Sequence, residues 1–419
     1  MNRSVTSRFA ACVAVLVATA IGSCASQRRR ALDDDAPQVP QLTPSEVTRL
    51  IPANIKDRAQ WSDAVLSALH AHQQDATLSN VCSVLAIIEQ ESTYQANPGV
   101  PGLGGVIQKR LDVYAGKLGP LGQPALHALL DGKAPGRKQT FLERLKHAKT
   151  ERDVDITFRE LSAHYEDKFP RAYAVADLLG GLFSSTHIED LNPVTTGGSM
   201  QVSVRYATEL GHKRRMTTTQ VRDELYTREG GVYYGTARLL GYTAAYDRPI
   251  YRFADYNAGV YASRNAALQA QVAELTGIKL TCDGDILAYS RAGDPKDDVT
   301  QTLKAFLAWR ARFAPKLTEH HLKSDVHYEK MRTFEETDTF RLIRRTYEEK
   351  KHKKPAYAQV PEVAIHSPKM SRDRSTSWYA RNVQLRFDAC RQRFRKGEPG
   401  ARRHDAAAVD AVLASTRAR

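Results

Sequence analysis

The sequence predicts a mainly α-helical protein. Apolar residues recur at helical spacing along most of the chain, and strand-type alternation is confined to one short segment, "GSMQVSVRY". The composition, 42% hydrophobic and 8% aromatic, is that of a globular protein and excludes wholesale disorder. With 419 residues the chain is long enough for two domains, or for one large domain carrying insertions, around a substantial core.

The first segment reads as a targeting signal. Arg3 and Arg8 precede an uncharged, mostly apolar stretch over residues 9–22, too short for a membrane span and of the right pattern for a secretory signal covering residues 1–23. Its ending, Ile21-Gly22-Ser23-Cys24, resembles a bacterial lipobox. That resemblance implies that Cys24 becomes the acylated first residue and anchors the chain to a membrane. Ser26 resembles the pattern of lipoproteins sent on to the outer membrane, which implies a place on its periplasmic side. The alternative is an ordinary signal with an incidental cysteine. Losing Arg3 and Arg8 lowers the formal charge of +14 by two. An exported basic chain suits anionic wall polymer or lipid head groups as partners rather than nucleic acid, although a solvated basic surface explains the charge equally well. Besides Cys24, three cysteines remain in the mature domain, Cys82, Cys282 and Cys390, and an odd count leaves at least one thiol unpaired. Their spacing matches no zinc pattern, and no cofactor is expected.

Residues 24–45, rich in Arg, Asp, Gln and Pro, read as a flexible tether. Helical periodicity then begins, with Trp61, Val65, Leu66 and Leu69 on one face. A second helix covers 79–93. Gly and Pro crowd the region from 99 to 135, interrupted by a short helical pattern at Val106, Leu111 and Tyr114. Helical patterns return over 140–184, 218–242, 260–276 and 299–313, the last with Val299, Leu303, Phe306 and Leu307 on one side. From residue 315 the composition turns charged and His-containing, so 315–419 reads as a basic C-terminal extension ending in a frayed tail. His320, His321 and His327 lie on a polar segment and read as solvated rather than as metal ligands. No internal repeat is visible.

The 79–93 helix carries the chemistry. At about 100° per residue, Val81, Val84, Leu85 and Ile88 cluster, Glu91 falls inside the same stripe, and Glu89 falls beyond its edge. An inward carboxyl on an apolar wall has a raised pKa and can donate a proton near neutrality. The bland alternative is a helix end frayed into solvent.

Three motifs bear on that choice. "AIIEQESTYQANP" (86–98) resembles the Glu-Ser signature of soluble lytic transglycosylases in the lysozyme-like superfamily. "TGGSMQVSV" (196–204) resembles the family's Gly-x-Met-Gln element through Gly198, Met200 and Gln201. "FADYNAGVYASRNAAL" (253–268) resembles its Ala-Tyr-Asn-Ala-Gly element through Tyr256, Asn257, Ala258 and Gly259. Upstream, "REGGVYYGTARLLGY" (228–242) resembles the helix that family members carry before that element. The resemblance covers roughly residues 75–275 and implies a lysozyme-like catalytic domain over 46–314. Two departures stand out. The gap between the first two motifs is about a hundred residues, far longer than in the family, so about 99–190 reads as a helical insertion. Asp255 also replaces a small apolar residue and adds a carboxylate near the expected site.

The resemblance implies non-hydrolytic cleavage of the β-1,4 bond between N-acetylmuramic acid and N-acetylglucosamine in peptidoglycan, with a 1,6-anhydro ring formed on the muramic sugar. Glu91 would be acid and then base. Tyr256 would hydrogen-bond Glu91, and Asn257 would hold the adjoining turn. Ser92 and Gln201 would meet sugar or lactyl groups, and Met200 would pack beneath the ring. Read from the residues alone, Met200 suits plain core, Ser92 a helix cap, and Gly198 and Gly259 backbone turns. Two rivals remain: a lysozyme-like hydrolase with Asp255 or another carboxylate positioning water, and a non-catalytic wall-binding lipoprotein.

Overall fold

A computed structural model of the chain describes residues 40–117, 119–168, 192–290, 293–296, 298–365 and 373–396. The predicted signal segment, Cys24, most of the predicted tether, the end of the helical pattern to 184 and the predicted tail from Gly397 lie outside these residues. The compact body begins at Leu42.

The body is mainly α. Helices α1 (Pro44–Leu50), α2 (Arg58–Ala71) and α3 (Leu78–Ser92) open it. Thr43 starts α1 with a reciprocal capping box to Glu46, and Thr77 starts α3 by accepting from the Asn80 N–H. Next come α4 (Leu103–Lys117), α5 (Gly122–Leu130), α6 (Phe141–Lys146) and α7 (Glu151–Lys168). These four carry their own core, including Leu103, Leu130, Phe141, Leu145 and Leu161. The region predicted as an insertion is therefore helical as far as it is described.

The predicted strand shrinks to β2 (Val202–Ser203), paired antiparallel with β1 (Thr196–Gly197). The Ser203 hydroxyl accepts from the Tyr206 N–H and turns the rest of the alternating segment into α8 (Val204–Lys213). The pattern at 218–242 breaks into α9 (Thr218–Leu225) and α10 (Arg228–Leu240), because Thr227 caps a new helix between them. Helices α11 (Pro249–Ala258) and α12 (Ala262–Thr276) follow, joined through Gly259 at φ 131°. Only glycine adopts such a backbone without strain.

A second core gathers α12 with α13 (Gln301–Phe313), α14 (Glu319–Val326) and α15 (Asp338–Lys351) around Phe306, Trp309 and Phe334. After a short β3–β4 pair (Ala364–Ile365 and Arg374–Ser375), the chain ends its described course in α16 (Thr376–Lys396). That helix does not extend away from the body. Tyr379, Ala380, Val383, Phe387 and Cys390 lie in the same core as α1, α2 and α3. The boundary drawn at 314/315 from composition therefore does not mark the end of the principal core. Val81 through Ile88 on α3 are all buried because α2, α10 and α16 pack around that helix.

A disulfide joins Cys82 of α3 to Cys390 of α16 across 308 positions, and Cys282 is the free thiol. By restricting the unfolded chain, such a long closure stabilises by about 2–4 kcal/mol. The double substitution of Cys82 and Cys390 by Ser is expected to lower the unfolding free energy by that amount, read as an earlier denaturant midpoint. Reductant should move the wild-type midpoint in the same direction and leave the double variant unmoved.

Candidate functional site

Glu91 occupies the last turn of α3. Ser92 ends the helix: its Oγ donates to the Ile88 carbonyl at 3.0 Å and accepts from the Gln95 N–H at 3.3 Å. Thr93 and Tyr94 then take left-handed conformations, at φ 50° and 60°. Such backbone is costly for residues other than glycine, so the surroundings hold this corner in place. Tyr94 anchors it, edge-on to Trp61 and donating to the Leu85 carbonyl.

The Glu91 carboxyl accepts a 2.5 Å hydrogen bond from the Tyr379 hydroxyl of α16. The residue is half-buried. Burial pushes its carboxyl up to about 7; the negative charge of Glu151 adds to the rise, while the Tyr379 bond and the Arg386 guanidinium oppose it. Burial and the charge of Glu91 hold the Tyr379 and Tyr256 hydroxyls protonated, which leaves both as donors. A carboxyl raised in this way can hold a proton near neutrality, and the Arg386 guanidinium favours its anion.

Tyr256 differs from expectation. Its hydroxyl donates to the Met200 carbonyl at 2.8 Å, and the bond expected of it is made by Tyr379. Tyr256 is still near enough for the charge of Glu91 to act on it. Asn257 is exposed, and its Oδ1 accepts from the Thr376 hydroxyl at 2.9 Å, which fastens the end of α11 to the start of α16.

Met200 is wholly buried, its sulfur lying against Gly235, so its side chain serves core packing and not a ring face. Gly198, at φ 77°, sits so close to the Leu225 carbonyl that a side chain would not fit. Gln201 is itself left-handed, at φ 48°. Its amide donates to Glu151 at 2.9 Å and its oxygen accepts from Thr196 at 3.0 Å.

Glu151 and not Asp255 is the carboxylate that acts on Glu91. Asp255 is buried as a structural hub. It accepts from the Tyr242 and Tyr246 hydroxyls and from the Tyr261 and Ser263 N–H groups, joining α11 to α12. Glu151 opens α7, whose start is fixed by Thr150 and Asp153 exchanging side-chain and backbone hydrogen bonds. One turn later Asp155, fully buried, binds Arg222 at 2.5 Å and Arg159 at 3.0 Å, so α7 is locked onto α9. Glu89 lies outside this cluster, 3.6 Å from Arg393.

Sequence reasoning missed Tyr379, Arg386 and Glu151. For Tyr379 a signal existed: Tyr379, Val383, Phe387 and Cys390 share one helical stripe, with a cysteine on it. Glu151 has no such mark, because an acid in a first helical turn is also what the helix dipole favours. Among the described residues no three His, Cys, Asp or Glu side chains gather to hold a metal, and no helix is long and apolar enough to cross a membrane. His321 instead lies 3.5 Å from Asp325 and from Asp338.

The structure thus defines a mainly helical protein with one half-buried acid held between its third and last described helices. The chain belongs to the family described as "Protein of unknown function (DUF1615)", which matches residues 54–393 and so spans Glu91, Glu151 and Tyr379 alike. It is 34% identical over 381 residues to a protein of Escherichia coli (strain K12) described as "Uncharacterized protein YaiW", covering 90% of this chain and 97% of that one. No solved structure matches.

Proposed function

We propose that the protein is a lytic transglycosylase of the lysozyme-like superfamily, cleaving peptidoglycan on the periplasmic side of the outer membrane to which Cys24 anchors it. The observation that carries this reading is the state of Glu91: a carboxyl raised to about 7 by burial, in the motif that resembles the family's catalytic Glu-Ser. Glu91 protonates the glycosidic oxygen, and the bond from muramic C1 to that oxygen breaks. The carboxylate then takes the proton of the muramic C6 hydroxyl, whose oxygen closes on C1. The proton given is recovered, so one group serves twice and no water is consumed. Tyr379 and Arg386 favour the anion that exists between the two transfers.

A second reading is favoured by one observation, the negative charge of Glu151 acting on Glu91. Two carboxyl groups are what hydrolytic glycosidases use, the second as nucleophile or base. Glu151→Gln separates the readings. Under the transglycosylase reading it keeps cleavage, and because a negative neighbour is lost, the alkaline limit of activity moves to lower pH. Under hydrolysis it loses cleavage at every pH, by about 10²–10⁴-fold.

The proposal itself is tested by incubating the protein with purified sacculi. Release of soluble glycan fragments is expected. Protein that sediments with the sacculi but releases nothing would replace the enzyme with a wall-binding lipoprotein.

A further inference from the structure

Helix α16 lies in the region set apart by composition, yet three independent contacts fasten it around the candidate acid. Cys390 is covalently joined to Cys82, nine positions before Glu91 on the same helix. Thr376 at its start bonds Asn257 at the end of α11, next to Tyr256. Between these two ties, the Tyr379 hydroxyl donates to the Glu91 carboxyl at 2.5 Å. Arg386 follows Tyr379 by seven positions, two turns on and therefore on the same face. Its Nη1 donates to the Asn382 carbonyl, while its Nε is buried with no hydrogen-bond partner among the described residues. A buried guanidinium N–H left in that state is costly unless charge or a ligand uses it.

We propose that α16 is a working part of the site: Tyr379 is a positioning residue that fixes the Glu91 carboxyl, and Arg386 supports the same carboxyl when it carries charge. The inference rests on the proposed function for its meaning, because a group that gives and then recovers one proton needs both of its states accommodated. Other groups act on Glu91 or on its neighbour Tyr256 from α7, α11 and α10. Glu151 of α7 disfavours the anion, Tyr256 of α11 is a neutral donor bonded elsewhere, and Arg238 of α10 acts on Tyr256. Among the described residues, the two groups that act to favour the charged carboxyl, Tyr379 and Arg386, both lie on α16.

The experiment follows Glu91 itself. In the full protein carrying carboxyl-labelled glutamate, the Glu91 signal is assigned by its loss in Glu91→Gln and titrated by carbon NMR. Cleavage of sacculi is measured across the same pH range. In Tyr379→Phe the Glu91 midpoint is expected to move upward by about one pH unit or more, since a donor to the anion has gone. The alkaline limb of activity should move with it, and kcat should fall about tenfold while KM holds. Arg386→Gln should move the midpoint in the same direction and serves as the second variant if Tyr379→Phe folds poorly. A Glu91 midpoint unchanged in both variants overturns the role of α16, whatever the activity does. A midpoint that shifts as expected in a protein that never cleaves sacculi upholds α16 and removes the proposed function instead.

Discussion

Glu91→Gln is expected to abolish the proposed cleavage of purified peptidoglycan and at the same time to make the folded protein more stable at alkaline pH. The first effect follows from chemistry. Glutamine accepts the Tyr379 hydrogen bond in place of the carboxyl but has no proton to give, and loss of general acid–base catalysis removes about 10²–10⁴-fold of rate. The upper end is expected here because in the proposed mechanism one group performs both transfers. The second effect follows from linkage. Glu91 titrates near 7 in the fold against an ordinary value of 4.5, so between those values the folded state binds more protons than the unfolded one. Stability contributed by the protonated carboxyl is therefore lost as pH rises through that window. Glutamine titrates nowhere, and at pH 8 the variant should exceed wild type by on the order of 1–3 kcal/mol. Equal stabilities at pH 4 and a gap at pH 8, read by denaturant unfolding, check it. Glu89→Gln, which removes the pair with Arg393, should leave activity nearly unchanged.

Asp155→Ala is expected to be the most damaging single change to stability. The carboxylate is fully buried and accepts from Arg222, Arg159 and Asn192, tying α7 to α9 and to the segment before β1. Removing it leaves the largely buried Arg222 without its compensating charge, a situation that costs about 3–5 kcal/mol. Glu151 lies one turn earlier on α7, so its hold on Gln201 should loosen as well. Unfolding curves give the first effect. A loss under about 1 kcal/mol would mean that Arg222 finds water or another partner.

The helical character and the inward phase of Glu91 were legible in the sequence because both rest on local periodicity. The stripe of Val81, Val84, Leu85 and Ile88 is buried as its phase requires, and Glu91 faces the protein rather than solvent alone. Thr77, Thr217 and Thr300 each accept a backbone N–H in the first turn of their helices, a local mark the sequence reading did not use. What was not legible depends on distance along the chain. Tyr379 reaches Glu91 across 288 positions, and nothing local to either residue records the other. The three cysteines alone did not say which pair would join; packing of α16 on α3 decides it. The "VSVRY" alternation misled because a serine that caps a helix also fits a strand's polar face.

The central claim is that Glu91 drives cleavage by the substrate's own hydroxyl, and the masses of the products test it most directly. Intact sacculi digested by the wild-type protein should yield glycan ends carrying the 1,6-anhydro ring, about 18 Da lighter than ends made by water attack. Glu91→Gln run beside it should yield none. Hydrated reducing ends, or the same products from both proteins, would contradict the account.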